Sequence, residues 1–272
     1  MRTPSVGDPT GVRLKALEVP LLIRCEGAGA PELARAVETA WDSCRDDAAA
    51  NGDAQEIRVR YDEGDGSDPP GYDLTGTDLA TVMDQLSPVV TKTAITARAG
   101  TMLMFHACAL AEPTTGDTVL LFGPSGAGKT TVARILGREL GYLSDETAGV
   151  RDDLTVVPYP KPLSVLSADS PIKEQVPASR LGLRVAGPGP FRVRAVVQLR
   201  RQTSGGGVEV ERLATVDGIT ELVAQSSYSR MLERPLQRLA ALAHDVGGIA
   251  RVTYAEAADL RPTVEALLAG RP

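Results

Sequence analysis

The sequence predicts an α/β protein with a mixed central sheet and a smaller N-terminal α/β part. Short apolar segments alternate with segments of helical periodicity along the chain. Two apolar runs, 103–111 and 118–122, flank a turn-rich stretch and predict an antiparallel hairpin. The second run continues through a glycine-rich loop into a helical segment, and a strand followed by a crossover helix returns in parallel. The central sheet is therefore expected to contain both strand orientations.

Residues 1–98 are predicted to form the N-terminal part. The first dozen residues are rich in proline and glycine and are expected to be a frayed tail. The patterns predict strands at 19–24 and 57–61, helices at 32–43 and 79–97 with an interruption or kink at Pro88, and a surface loop at 62–72. No motif marks this part. It is expected either to help bind a substrate or, as its apolar stripes favour, to complete the core.

Residues 99–272 are predicted to form the larger, catalytic part. The helix after the glycine-rich loop is expected over 129–140 and a strand over 141–145. Further along, strands are predicted within 155–166 and at 192–200 and 250–254, and helices at 215–225, 229–245 and 257–269.

Composition argues against several classes of partner. The net charge is -6 and no lysine or arginine run dominates, so a nucleic-acid partner is not expected. No apolar run is long enough to predict a membrane partner. Cys25, Cys44 and Cys108 are widely spaced and lack metal-ligand spacing, which predicts buried free thiols in a cytoplasmic protein. The oligomeric state is left open.

The segment Gly123-Pro-Ser-Gly-Ala-Gly-Lys-Thr130 fits the Walker A pattern and lies between a predicted strand and a predicted helix. Its glycines let backbone N–H groups turn toward phosphates, and the helix N-terminus adds partial positive charge. Lys129 is expected to reach the β and γ phosphates, and the Thr130 hydroxyl to ligate Mg²⁺. The predicted cofactors are ATP or GTP with Mg²⁺. The predicted nucleotide-binding residues are Gly123, Ser125, Gly126, Ala127, Gly128, Lys129, Thr130 and Thr131.

A carboxylate beside the loop is predicted at Asp145. The helix leads away from the loop by about 18 Å at ~1.5 Å per residue, and the strand returns by about 16 Å at ~3.3 Å per residue. Asp145 should therefore arrive at the level of the loop, where it can meet the metal or a phosphoryl acceptor. The alternative is that Asp145 and Glu146 form a solvated acidic pair at a strand end.

His106 is placed by the hairpin. If Glu112 faces Asp117, antiparallel pairing keeps the sum of residue numbers constant, and His106 falls opposite Gly123. It could contact phosphate or orient Asp145, and equally it could be a satisfied core histidine.

Three segments together resemble the catalytic domain of HPr kinase/phosphorylase and the HPr serine kinase-related proteins, whose fold is akin to phosphoenolpyruvate carboxykinase. The segments are Phe105-His-Ala-Cys108, the Walker A loop and Tyr142-Leu-Ser-Asp-Glu146, with a weaker match at Pro158-Tyr-Pro-Lys-Pro-Leu-Ser164. The resemblance implies that Asp145 acts as a general base near the metal, that Glu146 supports Mg²⁺, and that His106 contacts the phosphate region.

Two positions depart from that family. Thr131 stands where an acidic residue usually follows the loop, and Glu146 replaces the second aspartate. These departures argue against HPr as the particular acceptor, and the acceptor stays open. The expected function is a Mg-dependent kinase that transfers the γ-phosphoryl group to a hydroxyl, either the serine of a protein or peptide or that of a small molecule. A nucleotide-dependent switch that hydrolyses slowly is the alternative from another class, and carboxykinase-like chemistry on an oxoacid is the third.

Overall fold

The computed structural model of the chain describes residues 10–46, 54–62, 70–167, 170–203 and 205–271. The strands are β1 Thr10–Ala16, β2 Val19–Glu26, β3 Gln55–Tyr61, β4 Leu74–Gly76, β5 Leu103–Phe105, β6 Ala107–Ala111, β7 Asp117–Phe122, β8 Gly141–Ser144, β9 Ala148–Val150, β10 Val156–Val157, β11 Leu163–Val165, β12 Glu174–Val176, β13 Arg184–Val185, β14 Arg192–Arg201, β15 Glu209–Arg212 and β16 Ile249–Tyr254. The α-helices are α1 Ala30–Ala40, α2 Leu79–Ala97, α3 Lys129–Leu136, α4 Thr215–Ala224, α5 Pro235–Asp245 and α6 Arg261–Leu268. The protein is thus mixed α/β, as the sequence predicts.

The chain divides into two compact units. The first comprises Met1–Ala97 with Lys161–Ala178, and the second comprises Arg98–Pro160 with Ser179–Pro272. The segment Lys161–Ala178, which the sequence assigns to the larger part, carries the β11–β12 hairpin and lies with the first unit. Contacts between β12 and α2 explain this placement.

The first unit is built on a four-stranded sheet in the order β1-β2-β3-β4. β1 is antiparallel to β2, whereas β3 and β4 continue in parallel. Side chains of β2 alternate between buried and half-buried, which is the period-two pattern of a strand with one core face. The helix α1 buries Leu33, Val37 and Ala40 at helical spacing, as its apolar stripe predicts.

Several predictions for the first unit need correction or fall outside the description. Residues 10–12 belong to β1 rather than to a tail, because Val12 is buried in its pairing with β2. Helix α2 continues across Pro88 without interruption. Of the predicted loop 62–72, residues 63–69 lie outside the described residues.

The second unit contains a seven-stranded sheet in the order β13-β8-β6-β7-β14-β16-β15. β7 pairs antiparallel with β6 and parallel with β14, so the mixed sheet expected from the hairpin and the crossover helix is present. A smaller sheet has the order β10-β9-β5. The interior between these elements includes Phe105, Phe122, Leu143 and Leu239.

Four predicted elements of the second unit differ from the structure. The run 103–111 is split at His106 into β5 and β6, which belong to different sheets. The helix predicted over 129–140 ends at Leu136, followed by Gly137. The helix predicted from 229 starts at Pro235, because Arg234 has a left-handed backbone with φ 52°. The helix predicted over 257–269 is a 3₁₀ turn followed by α6.

Candidate functional site

The candidate site lies along one edge of the seven-stranded sheet. β8 and β7 are both antiparallel to β6, so their carboxyl ends meet at the same edge. β14 and β16 run parallel to β7 and end there as well. In spatial order, this edge therefore carries Asp145 after β8, His106 before β6, the loop from Gly123 after β7, and Arg201 at the end of β14. Carboxyl ends of parallel strands are the usual place for ligand sites in such sheets.

The loop after β7 requires glycine at two positions. Gly126 and Gly128 have φ angles of 83° and 91°, in the left-handed region that side chains disfavour. A Cβ at Gly128 would also lie 2.3 Å from the hydroxyl oxygen of Tyr254, whereas a Cβ at Gly126 would meet no atom within 4 Å. The Tyr254 hydroxyl donates a hydrogen bond of 2.6 Å to the carbonyl of Ala127. The loop is thus held against the end of β16.

The remaining predicted loop residues differ in exposure. Ser125 is exposed at the loop's tip, Gly123 and Ala127 are buried, and Thr131 is exposed in the first turn of α3. Because α3 begins at Lys129, its free N–H groups lie directly after the loop. This is the arrangement that favours an anionic ligand.

Lys129 is buried and contacts the loop itself. Its Nζ donates to the carbonyl oxygens of Gly123 at 2.6 Å and Pro124 at 3.3 Å. Burial lowers the pKa of Lys129 below its ordinary value, and the nearby Cys108 and Asp145 act in the opposite direction. The ammonium group thus lies inside the turn of the loop.

Asp145 meets the start of α3. Its Oδ2 accepts a hydrogen bond of 3.0 Å from the Thr130 hydroxyl, and its Oδ1 accepts one of 3.0 Å from the Tyr142 hydroxyl. The carboxylate is 5% exposed, so it is no solvated surface acid. Asp145 therefore returns to the level of the loop, as the lengths of helix and strand predict, although β8 lies two strands from β7 with β6 between them.

His106 lies at the entrance of the loop. Ala107 pairs with Phe122, so the constant register places His106 opposite Gly123, as the hairpin predicts. Its backbone N–H donates to the carbonyl of Gln225 at 2.7 Å, and its side chain is exposed. The surrounding protein atoms and then the charge of Lys129 lower the pKa of His106 below its ordinary value, while Glu146 and Asp145 oppose this. This shift favours the uncharged form of the imidazole.

Glu146 follows Asp145 and is half-buried. Its backbone N–H donates to Ser144 Oγ at 3.2 Å, and its carbonyl accepts from the backbone N–H of Ala107 at 3.1 Å. In the part of the chain that the structure describes, no three His, Cys, Asp or Glu residues form a cluster that could hold a metal ion. A metal here would need oxygen atoms from a ligand in addition to those of Thr130 and Asp145.

The sequence does not identify three residues that this edge brings together. Tyr142 binds Asp145, Tyr254 binds the loop, and the Gln225 carbonyl binds the backbone at His106. Tyr142 stands inside the motif segment 142–146, but no spacing rule marks its hydroxyl as a partner of the acid. Tyr254 and Gln225 are more than 90 residues from the loop in sequence. The sheet order brings Tyr254 to the loop, whereas Gln225 follows α4 and lies outside that sheet.

Outside this edge, two predictions can be compared with the structure. Cys25, Cys44 and Cys108 are free and buried, which confirms the prediction from their spacing. No helix among the described residues has both the length and the apolar character that crossing a membrane requires.

Comparisons with known proteins give little. No protein-family profile matches the chain, and no curated protein matches its sequence. A solved structure, the HPr(Ser) kinase/phosphatase from Coxiella burnetii, is similar over 61% of this chain and 94% of that one, with 11% sequence identity and a TM-score of 0.31. A TM-score this low carries no argument about fold or activity. The resemblance of the motif segments to HPr kinase-related proteins therefore stays a prediction.

Proposed function

We propose that the protein binds ATP or GTP together with Mg²⁺ and transfers the terminal phosphoryl group to a hydroxyl group of a protein, peptide or small molecule. The observation that carries the proposal is the 3.0 Å hydrogen bond between Thr130 and Asp145 at the foot of the loop. A hydroxyl at the first turn of the helix, bonded to a carboxylate from another strand, is the donor set that phosphate-loop enzymes use for Mg²⁺.

The residues of the loop fit the group they would hold. Gly126 leaves open space where a side chain would stand, and Gly128 has no room for one. Hard oxygen donors from Thr130 and Asp145 suit Mg²⁺, which prefers one or two carboxylates plus phosphate oxygens. When bound, the metal supplies positive charge that neutralises the phosphates. Glu146, as the next acid along the chain, is proposed as its further support.

The chain's own residues have distinct roles in the transfer. Lys129 and the backbone N–H groups of the loop bind the phosphates and stabilise the charge of the transferring group. Asp145 accepts the proton of the acceptor hydroxyl, which raises the nucleophilicity of that oxygen. The uncharged ring of His106, opposite Gly123, can donate a hydrogen bond to a phosphate oxygen without adding net charge. These three residues are the proposed catalytic groups.

The experiment follows labelled phosphate. The purified protein is incubated with γ-labelled ATP or GTP and Mg²⁺ in an extract from its own source, in parallel with Lys129→Ala and Asp145→Asn. Arg134→Ala serves as the control, because Arg134 is an exposed cation of the same helix. One labelled acceptor that disappears with the first two variants and persists with the control would support the kinase. Label that leaves only as free phosphate, at a rate independent of the extract, would contradict it.

One observation favours a second candidate, a nucleotide hydrolase that acts as a switch. Both carboxylate oxygens of Asp145 already accept hydrogen bonds, from Thr130 and Tyr142. A carboxylate fixed in this way suits metal support better than proton transfer, and Glu146 would then be the residue that activates water. For this candidate, Glu146→Gln should abolish release of free phosphate and leave nucleotide binding near that of the wild type. If Glu146→Gln hydrolyses nucleotide at the wild-type rate, the second candidate fails.

A further inference from the structure

The edge of the sheet that carries the loop has two flanks. On one flank, Asp145 follows β8, which lies two strands from β7. On the other flank, β14 lies directly beside β7 and ends at Arg201, and β16 beyond it ends at Tyr254. Neighbouring strands are about 4.8 Å apart. Counted in strands across the sheet, β14 is therefore nearer to β7 than β8 is.

The position of Asp145 indicates how a bound nucleotide would be oriented across the loop. In phosphate-loop sites a metal neutralises the charge of the β and γ phosphates. Thr130 and Asp145, which meet at 3.0 Å, would hold that metal, so the metal end of the polyphosphate would lie on the flank of β8. A chain of three phosphates that lies across the loop then directs its α-phosphate and nucleoside to the opposite flank, where β14 and β16 end.

Arg201 is a cation at the end of β14 on that flank. Its Cδ lies 3.9 Å from the point that a Cβ at Gly128 would occupy, so its stem lies beside Gly128. Its Nε donates to the carbonyl of Ala255 at 3.4 Å, and the side chain is exposed. Among residues that the structure describes, no carboxylate forms an ion pair with it. A planar guanidinium that is exposed and not engaged in an ion pair can stack on a nucleobase or donate hydrogen bonds to ribose oxygens.

We infer that the nucleoside part of the nucleotide binds over the ends of β14 and β16 and that Arg201 contacts it. This inference rests on the proposed nucleotide binding and adds the residue that recognises the nucleoside. It is independent of whether the phosphoryl group passes to an acceptor or to water. The ligand is a nucleobase with its ribose. The planar guanidinium of Arg201 would contact this nucleoside and not the phosphates.

The test compares ligands with and without a nucleoside. Calorimetry measures the affinities of Mg·ATP and of Mg·tripolyphosphate for the wild type, for Arg201→Ala and for Arg200→Ala. Arg200 is the matched control, because it is the adjacent exposed arginine of β14 and successive side chains of a strand point to opposite faces. Arg201→Ala is expected to weaken ATP binding by about 2- to 30-fold, the size of a cation–π contact, with tripolyphosphate unchanged. Arg200→Ala is expected to leave both affinities unchanged.

The other outcomes overturn the inference in distinguishable ways. An equal loss of ATP and tripolyphosphate affinity in Arg201→Ala would make Arg201 a phosphate contact. If Arg201→Ala keeps the wild-type affinity for ATP, or if Arg200→Ala loses as much ATP affinity as Arg201→Ala, Arg201 makes no specific contact with the nucleoside. The proposed function would still stand. A wild-type protein that binds neither ligand would overturn the proposed function as well.

Discussion

Thr130 and Asp145 stand fifteen residues apart in sequence, yet the hydroxyl of one lies 3.0 Å from the carboxylate of the other. The two are brought together because α3 and β8 form a compact out-and-back excursion from the loop. A hydrogen bond to a charged group contributes about 1.5–3 kcal/mol. This contact is therefore large enough to fix the first turn of α3 relative to the end of β8.

Thr130→Val removes this hydroxyl and keeps the shape of the side chain. We expect Mg-dependent nucleotide affinity to fall by ~10-fold or more, because a metal ligand and a charge-assisted hydrogen bond are lost together. Titration calorimetry with Mg²⁺ and with a chelator measures the effect. Arg134→Ala is the control, since Arg134 is an exposed residue of the same helix with no predicted role in binding. Wild-type affinity of Thr130→Val in Mg²⁺ would contradict the assignment.

Tyr254→Phe tests what holds the loop. The buried Tyr254 hydroxyl donates a hydrogen bond of 2.6 Å to the Ala127 carbonyl. The substitution removes the hydroxyl and leaves that buried carbonyl without this partner. The expected loss is about 0.5–1.5 kcal/mol, which corresponds to about 2- to 13-fold weaker nucleotide binding if the bond stabilises the binding conformation of the loop. Calorimetry and chemical denaturation measure the two effects. Unchanged affinity together with unchanged stability would show that the bond does not constrain the loop.

Alanine substitutions at two glycines of the loop distinguish the cost of backbone strain from the cost of a steric collision. Both have φ in the left-handed region, but only a Cβ at Gly128 meets the Tyr254 hydroxyl. Gly126→Ala should cost about 1–2 kcal/mol from strain alone, and Gly128→Ala should cost more. Adding Tyr254→Phe should recover part of the Gly128→Ala loss and none of the Gly126→Ala loss. Chemical denaturation followed by circular dichroism measures all of these variants. Equal losses for the two alanine variants would contradict the collision.

Much of this edge follows from the sequence, because its determinants are local. The Walker A spacing, the length of the excursion to Asp145 and the hairpin register of His106 each depend on neighbouring residues or on fixed rises per residue. The bounds of α3 are wrong by four residues, and the acid still arrives in place. Gly137 to Leu140 cover the remaining path as a turn, in which the Leu140 N–H still donates to the Leu136 carbonyl at 2.9 Å.

The residues that the sequence does not identify depend on long-range order. Tyr254 and Arg201 reach the loop because β14 and β16 follow β7 in the sheet, and no local pattern encodes that order. The placement of Lys161–Ala178 with the first unit is of the same kind, since its hairpin packs through contacts with α2 far earlier in the chain. Strand β1 is not expected because Gly11 and the prolines that precede the strand conceal its short alternation of buried residues.

The three cysteines are expected to be unreactive in the folded protein. Burial, and then the charge of Glu38, raise the pKa of Cys25 to about 12, and burial also raises the pKa of Cys44 and Cys108. Because the thiolate is the reactive form, Ellman's reagent should label none of them under native conditions near neutral pH. In denaturant it should label all three. Rapid native labelling of any one thiol would contradict its burial.

Asp78 is expected to stabilise the first unit in a pH-dependent way. Its Oδ2 accepts hydrogen bonds from the Thr81 hydroxyl at 2.6 Å and the Thr81 backbone N–H at 2.8 Å, at the start of α2. The hydroxyl bond first, and then the backbone bond, lower the pKa of Asp78 below its ordinary value of 3.8. The ionised form is the one favoured by folding. Its stabilisation is therefore full above pH 3.8 and is lost as the pH falls through the lowered pKa.

Asp78→Ala should thus destabilise the first unit at neutral pH, and the difference from wild type should shrink below about pH 4. Asp78→Asn is the control, because asparagine caps a helix without titrating and should retain stabilisation with no such pH dependence. The fluorescence of Trp41, the single tryptophan and a buried residue of this unit, reports its unfolding in denaturant. If the difference in the free energy of unfolding between Asp78→Ala and wild type stays constant down to about pH 3, the charge of the Asp78 carboxylate does not stabilise the start of α2.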